Sequence, residues 1–331
     1  MNETIKNKCD LLTGNRDKMA RHFKWNYSLM NLSAALVFTS AGKEPDVDRL
    51  EECAKILKKN ASMFSSLRSQ METIVISKLS LADDPQQYMS DLKIIYDKLT
   101  KGSFFESAYM VQAAISILDA GKIDQTDEII ARYKDMYKKM EKEHPFLTSS
   151  EDIVFSVLLA MTEKDVDAIV SEMETCYDYL KKEKKIKVGG NEIQGLSEIL
   201  ALSDGDMIEK CDRVMMLYNK FAERGTKYGK DYGEFASLGA LVGIDMDADA
   251  LVDGIIETAE YLKDHKGFGR FSMDKKQRLM FAAMLVGDAY SSDSTLASSS
   301  FISSTVAMVI AEEVAMMVCI MAATTTTTVN S

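Results

Sequence analysis

At 331 residues and 46% apolar, the chain is long enough to bury a sizeable core. Its net charge of −11 disfavours nonspecific binding of nucleic acid, whose phosphates repel it at long range. Five scattered cysteines, odd in number and without a CxxC pair, fit a reducing cytoplasm and exclude a disulfide framework.

The first expected element is a capping helix over residues 1–27, with Ile5, Leu11, Leu12, Met19 and Phe23 as its apolar positions. The only tryptophan, Trp25, stands at its junction with the body and reads as a packing residue. Met1 to Leu12 is polar and lacks the apolar stretch of a secretion signal, so a cytoplasmic location is expected.

Residues 28–290 read as a helical body. Helix pairs are expected at 28–65, 66–106, 107–147, 148–189, 190–230 and 231–271, followed by a further short helix from Lys275 to Gly287. Each pair opens with a short helix rich in small apolar residues, such as Ala34, Ala35 and Leu36 or Ala113, Ala114 and Ile115, and continues with a longer one. Along the longer helices, Leu57, Leu99, Met140, Leu180, Phe221 and Leu262 recur at steps of 42, 41, 40, 41 and 41. Ala54, Tyr96, Tyr137, Tyr177, Tyr218 and Ala259 lie three residues earlier on the same face. A second column, Phe64, Phe105, Phe146, Val188, Tyr228 and Phe268, marks the turns.

Two columns keeping one period point to an all-α fold, an α-solenoid or α/α superhelix of about six ~41-residue helical hairpins. The period lies in the range of HEAT and armadillo repeats, without the signature of either. Pro45, Pro85 and Pro145 fall between the expected helices, and strand patterns are essentially absent.

Beyond the body, residues 291–300 read as a linker, 301–323 as an apolar helix and 324–331 as a disordered tail. Glu312 and Glu313 cut the apolar helix into runs shorter than the ~20 residues a bilayer requires. A helix apolar nearly all round still needs cover. The candidates are its own last repeat, a second copy of the chain in a homo-oligomer, a partner groove, or membrane contact.

The longer helices start acidic, as at Asp83 and Asp84, Asp204 and Asp206, or Asp245, Asp247 and Asp249. They end basic, as at Lys138, Lys139 and Lys142, or Arg224 and Lys227. Helix capping accounts for this layout.

Motifs for known chemistry fail in detail. Asp245, Asp247, Asp249 and Asp253 imitate a calcium loop, but Ala250 and Ile256 replace its glycine and its bidentate glutamate. Asp83 and Asp84 precede Pro85, which suits a first helical turn. Gly229 and Lys230 are followed by Asp231 where a phosphate loop needs Ser or Thr. His22, His144 and His265 have no ligand spacing, and His144 is expected to meet the carbonyls of a helix end. No catalytic residue, metal or cofactor is therefore assigned.

The starts of the short helices carry the more informative polar residues. The candidate binding residues are Arg68, Ser107, Tyr109, Glu151, Asp152, Asn191, Gln194, Ser197 and Tyr232. Some are of capping type, and Ser149 with Asp152 has the capping-box spacing. Arg68 and Gln194 are not, and in a stack these positions line one edge.

Two of these stretches carry a resemblance. The first is His144-Pro145-Phe146-Leu147-Thr148 with Glu151-Asp152 and Leu158-Leu159-Ala160; the second is Gly190-Asn191-Glu192-Ile193-Gln194-Gly195-Leu196-Ser197 with Ile199-Leu200-Ala201-Leu202. Together they resemble an uncharacterised bacterial domain-of-unknown-function family of all-helical proteins of about this length. The likeness covers most of residues 20–290, and the family pattern has histidine where Glu198 stands. The resemblance implies a cytoplasmic bacterial protein and supplies no activity, cofactor or catalytic residue.

The functional expectation is a noncatalytic scaffold that holds an unidentified protein or peptide along the repeat edge. The alternatives are an α/α-toroid enzyme using carboxylates such as Glu151 and Asp152 in a central cavity, or a peripheral membrane protein attached by its C-terminal helix.

Overall fold

The computed structural model describes residues 1–24, 28–69, 71–102, 107–145, 147–270 and 272–291. Trp25, Phe105, Phe146, nearly all of the expected linker, the apolar segment 301–323 and the tail lie outside the described residues.

The described residues are all-helical, with no strand among them. The short helices are α2 (Ser28–Ser40), α4 (Glu72–Leu81), α6 (Ala108–Asp119), α8 (Asp152–Ala160), α10 (Gly190–Ala201) and α12 (Tyr232–Ser237). Alternating with them are the longer α3 (Val47–Asn60), α5 (Pro85–Thr100), α7 (Thr126–Glu143), α9 (Val166–Asp178), α11 (Met207–Glu223) and α13 (Ala248–Lys263). Helix α1 (Glu3–His22) precedes the series and α14 (Lys275–Ser291) closes it.

The acidic starts act as caps. Asp46, Asp84, Asp165, Asp206 and Asp247 each accept hydrogen bonds from backbone amides in the first turn of α3, α5, α9, α11 and α13. Pro85 occupies the first turn of α5, where its missing amide costs nothing. Helix α11 stops at Gly225, whose φ of 65° allows Thr226 to donate back to the Phe221 carbonyl. After α9 the chain continues as a π-helical turn, Tyr179–Glu183. It accommodates a stretch from Leu180 to Val188 that is one residue longer than the equivalent Phe221 to Tyr228.

The chain divides into two compact units, one formed by residues 1–9 with 128–291 and the other by 10–127. In the first, α8, α10, α12 and α14 pack each on the next, and α9, α11 and α13 do likewise. In the second, α2 packs on α4 and α3 on α5. The two helix types bury differently. All nine residues of α8 are buried, whereas α11 buries one face through Met207, Cys211, Val214, Leu217 and Phe221. Every member of the column Leu57, Leu99, Met140, Leu180, Phe221 and Leu262 is buried.

The turn column is less uniform. Val188, Tyr228 and Phe268 are buried, but Phe64 is 88% exposed, because Leu67 and Met71 fill the core in that longer connection.

A third periodic feature ties neighbouring pairs together. Arg49 donates to the Ala82 carbonyl, Arg132 to those of Ala160, Thr162 and Lys164, and Arg213 to that of Met246. Each arginine sits eight residues before a member of the buried apolar column. It satisfies carbonyls at the end of the next short helix or in the connection that leads from it to the following long one.

Candidate site at the start of helices α8 and α10

In the unit formed by residues 1–9 and 128–291, the end of α7, the middle of α9 and the start of α10 border a small, partly open cleft with room for about one water molecule. Its lining is Met140 and His144, then Met173, Glu174 and Tyr177, then Gln194 and Ser197. His144 Nε2 lies 3.0 Å from the Glu174 carboxylate, and its ring tilts against Tyr177 with centroids 4.4 Å apart. The imidazole at this helix end thus meets a carboxylate and an aromatic face rather than terminal carbonyls. Gly190 makes room at the first turn of α10, since a Cβ there would stand 3.0 Å from the Tyr177 hydroxyl.

Gln194 is 2% exposed, and neither Nε2 nor Oε1 makes a hydrogen bond of normal geometry, although the amide lies near the Asp152 carboxyl. A buried amide in that condition is unusual and costly. Ser197 donates to the Gln194 main-chain carbonyl at 2.7 Å, as a helical serine does.

Behind Gln194 stands a pair of buried carboxyls, Asp152 on α8 and Glu198 on α10. Asp152 Oδ2 accepts from the Ser149 amide at 2.6 Å, one arm of the capping pattern read in the sequence. The other oxygen has no partner of normal geometry, although the Glu198 carboxyl and the Gln194 amide lie close enough to favour its charged form. Burial nevertheless pushes Asp152 up to about 6, and the neighbouring Glu151 charge adds to that shift. Ser156 donates to Glu198 at 3.5 Å. Burial lifts the Tyr137 hydroxyl to about 12, with the Asp152 charge contributing in the same direction. At the rim, Asn191 donates to Glu151 at 3.2 Å.

Known proteins place the chain without assigning it an activity. The family described as "Protein of unknown function (DUF4003)" matches residues 15–315. The chain belongs to this family. Within reach of it, "Uncharacterized protein YeaA" of Bacillus subtilis (strain 168) is 27% identical over 221 residues, 63% of this chain. The matched stretch spans 64% of that curated relative's length. No solved structure matches the chain.

For this DUF4003 member, the structure brings Glu151, Asp152, Asn191, Gln194 and Ser197 together at adjoining helix starts. Of these, Asp152, Gln194 and Ser197 are buried rather than displayed. Tyr232 begins α12, and its side chain lies outside the described residues. Arg68, Ser107 and Tyr109 belong to the unit formed by 10–127. There Arg68 donates to the Ala61 carbonyl, Ser107 caps α6 by accepting from the Met110 amide, and Tyr109 is buried.

Sequence reasoning missed Glu198, Ser156, Tyr137, and the joining of His144, Glu174 and Tyr177. The one legible signal was Glu198 itself, a carboxylate inside the apolar run from Ile193 to Leu202. Among the described residues, no group of His, Cys, Asp and Glu is arranged to hold a metal ion. No helix among them is long and apolar enough to cross a membrane.

Proposed function

We propose that this protein is a noncatalytic, cytoplasmic interaction protein. Its helical pairs are stacked as a solenoid, and it holds a protein or peptide partner at the start of α8 and α10. The observation that carries this reading is the Gln194 amide, buried beside a small, partly open cleft with no hydrogen bond of normal geometry at either polar atom. Such a group is stabilised only when something supplies the missing bonds. The row-on-row packing of short and long helices supports the solenoid, and an extended helical stack suits a long partner.

A photo-crosslinking residue placed at Asn191, on the rim, is expected to trap a defined partner in native extract. The same residue at Asp204, fully exposed in the turn that follows α10, is expected not to. Equal trapping from both positions overturns the proposal.

A second reading, catalysis by carboxylates, draws on the raised pKa of Asp152 beside Glu198. Neither carboxyl lines the cleft, and Ser197, which does, donates its hydroxyl to the Gln194 main-chain carbonyl rather than to a base. Binding is therefore the stronger reading.

A further inference from the structure

Helices α9 and α11 pack side by side, and two thiols meet between them. Cys176 Sγ and Cys211 Sγ lie 3.2 Å apart, and both residues are fully buried. Met173 and Leu180 flank Cys176 one turn away on either side, Met207 and Val214 flank Cys211, and all four are buried as well. A disulfide needs the sulfurs roughly 1 Å closer, a shift of the size that side-chain torsions supply.

The repeat alone does not produce such a pair. Cys53 stands four residues before Leu57 on α3, as Cys176 stands four before Leu180. Cys211 stands ten residues before Phe221, but the matching place on α5, ten before Leu99, holds Met89. Cys53 thus has the first position of the pair without a thiol at the second, and burial pushes it up to about 11. At the pair, the Cys211 contact and burial hold Cys176 well above the ordinary thiol range, while Lys210 works against them. Lys210, next to Cys211 in the chain, is buried and donates to the Leu200 and Ser203 carbonyls at 2.6 and 2.8 Å. A nearby cation is what favours a thiolate, and Cys53 has no buried lysine beside it.

We propose that Cys176 and Cys211 are a reversible oxidation site, a dithiol that hydrogen peroxide converts to a disulfide joining α9 to α11. One thiol loses its proton, and its thiolate attacks a peroxide oxygen. The O–O bond breaks, leaving a sulfenic acid, and the departing oxygen takes up that proton as water. The second sulfur then attacks the sulfenic sulfur. The S–S bond forms, the S–O bond breaks, and a second water leaves with the remaining thiol proton. Two electrons pass from the sulfurs to the peroxide, and a small dithiol reverses the step by exchange. A transient disulfide of this kind is compatible with a reducing cytoplasm.

The oxidant's path is the end of α9. Three residues beyond Cys176 the chain enters the π-helical turn Tyr179–Glu183, where Lys181, Lys182 and Glu183 are exposed. Helix ends open more readily than the packed middle of a helix. Closing the bond fixes α9 where it carries Glu174 and Tyr177, the two residues set against His144.

The test treats the folded full chain with hydrogen peroxide, blocks the remaining thiols in denaturant and maps the disulfides by mass spectrometry. The Cys176–Cys211 link is expected to exceed any other pairing by about tenfold or more, with Cys53 still reduced, and dithiothreitol should reverse it. Cys176→Ala and Cys211→Ala should each abolish the link and leave added oxygen on the remaining cysteine. The wild-type map decides the matter even where a variant fails to fold. Both thiols still free once Met173 or Met207 has become the sulfoxide would overturn the proposal, since oxidant had then reached the helices. Oxidation of Cys53 ahead of the pair, or a link that forms only in urea, would overturn it equally.

Discussion

Carboxylates on the short helices and on the long helices of the unit formed by 1–9 and 128–291 respond to the fold in opposite ways. On α8 and α12, burial raises the pKa of Asp152 and of Glu234. On α11 and α13, cationic and hydroxyl donors lower the others. Tyr179 and Lys184 act on Asp212, Lys220 and Arg224 on Asp249, Arg224 on Asp253, and Lys263 on Glu260. These four acids of the long helices therefore carry charge where the fold welcomes it, each matched by a donor on the same or the neighbouring long helix or the turn that follows it. Asp152 and Glu234 sit on short helices where the fold resists their charge. A polar group kept at a cost to stability is the ordinary mark of a site rather than a strut.

The largest expected effect comes from removing the resisted charge. Asp152 is held near 6 against an ordinary value of 3.8, so its ionisation works against the folded state. Its favourable contribution is complete below pH ~4 and is lost as pH rises through ~6. Asp152→Asn should therefore flatten the fall in stability between those two pH values. At pH 7 it should gain up to about 3 kcal/mol, less whatever the Ser149 amide loses. Urea melts at pH 4 and pH 7 measure both. A variant that is less stable than wild type at pH 7 would mean that the short-helix acid is a strut after all.

A smaller gain is expected from Gln194→Leu. Leucine has a similar shape and removes two buried atoms that lack hydrogen bonds of normal geometry, so stability should rise by about 1 kcal/mol, less whatever the Asp152 carboxyl loses with the amide, while crosslinking from Asn191 falls. An opposite change in the two properties is the sharpest form of the contrast, because a purely structural glutamine would lose both together. A loss of stability would show that the amide is bonded within the free protein.

These two kinds of region differ equally in how far the sequence reveals them. The long helices were legible because their signals are local. Asp84 before Pro85 and Asp247 before Ala248 are caps written within a few residues, and the apolar column from Leu57 to Leu262 is a single face repeated. The short-helix site was only half legible. Glu151, Asp152, Asn191, Gln194 and Ser197 stand out as polar residues at helix starts. Their burial depends on α8 and α10 being covered on every side, which no local pattern states. Glu174 meets His144 across thirty residues of sequence, and Ser156 reaches Glu198 across forty-two. Such partners become neighbours only once the helix pairs are laid side by side. The arginines at 49, 132 and 213 share that blindness, since their targets are main-chain carbonyls that carry no side-chain signal.

The smallest effect belongs to the welcomed charges. Arg224, at the C-terminal cap of α11, binds Asp249 at 2.7 Å and Asp253 on α13, and Lys220 reinforces the same contact. Arg224→Met keeps much of the aliphatic stem and deletes the charge, so it isolates the electrostatic part. The pairs face solvent, where ion pairs contribute little and salt screens them. A slight drop in melting temperature is expected in low salt at pH 7, vanishing in high salt. It should also vanish in acid, because Asp249 and Asp253 have lowered pKa values and their contribution is lost as pH falls through those values. That is the reverse of the Asp152 profile, so one pair of pH titrations places the two rows on opposite slopes. A deficit that survives both high salt and acid would locate the role of Arg224 in packing between α11 and α13, and the division between welcomed and resisted charge would no longer follow the two rows.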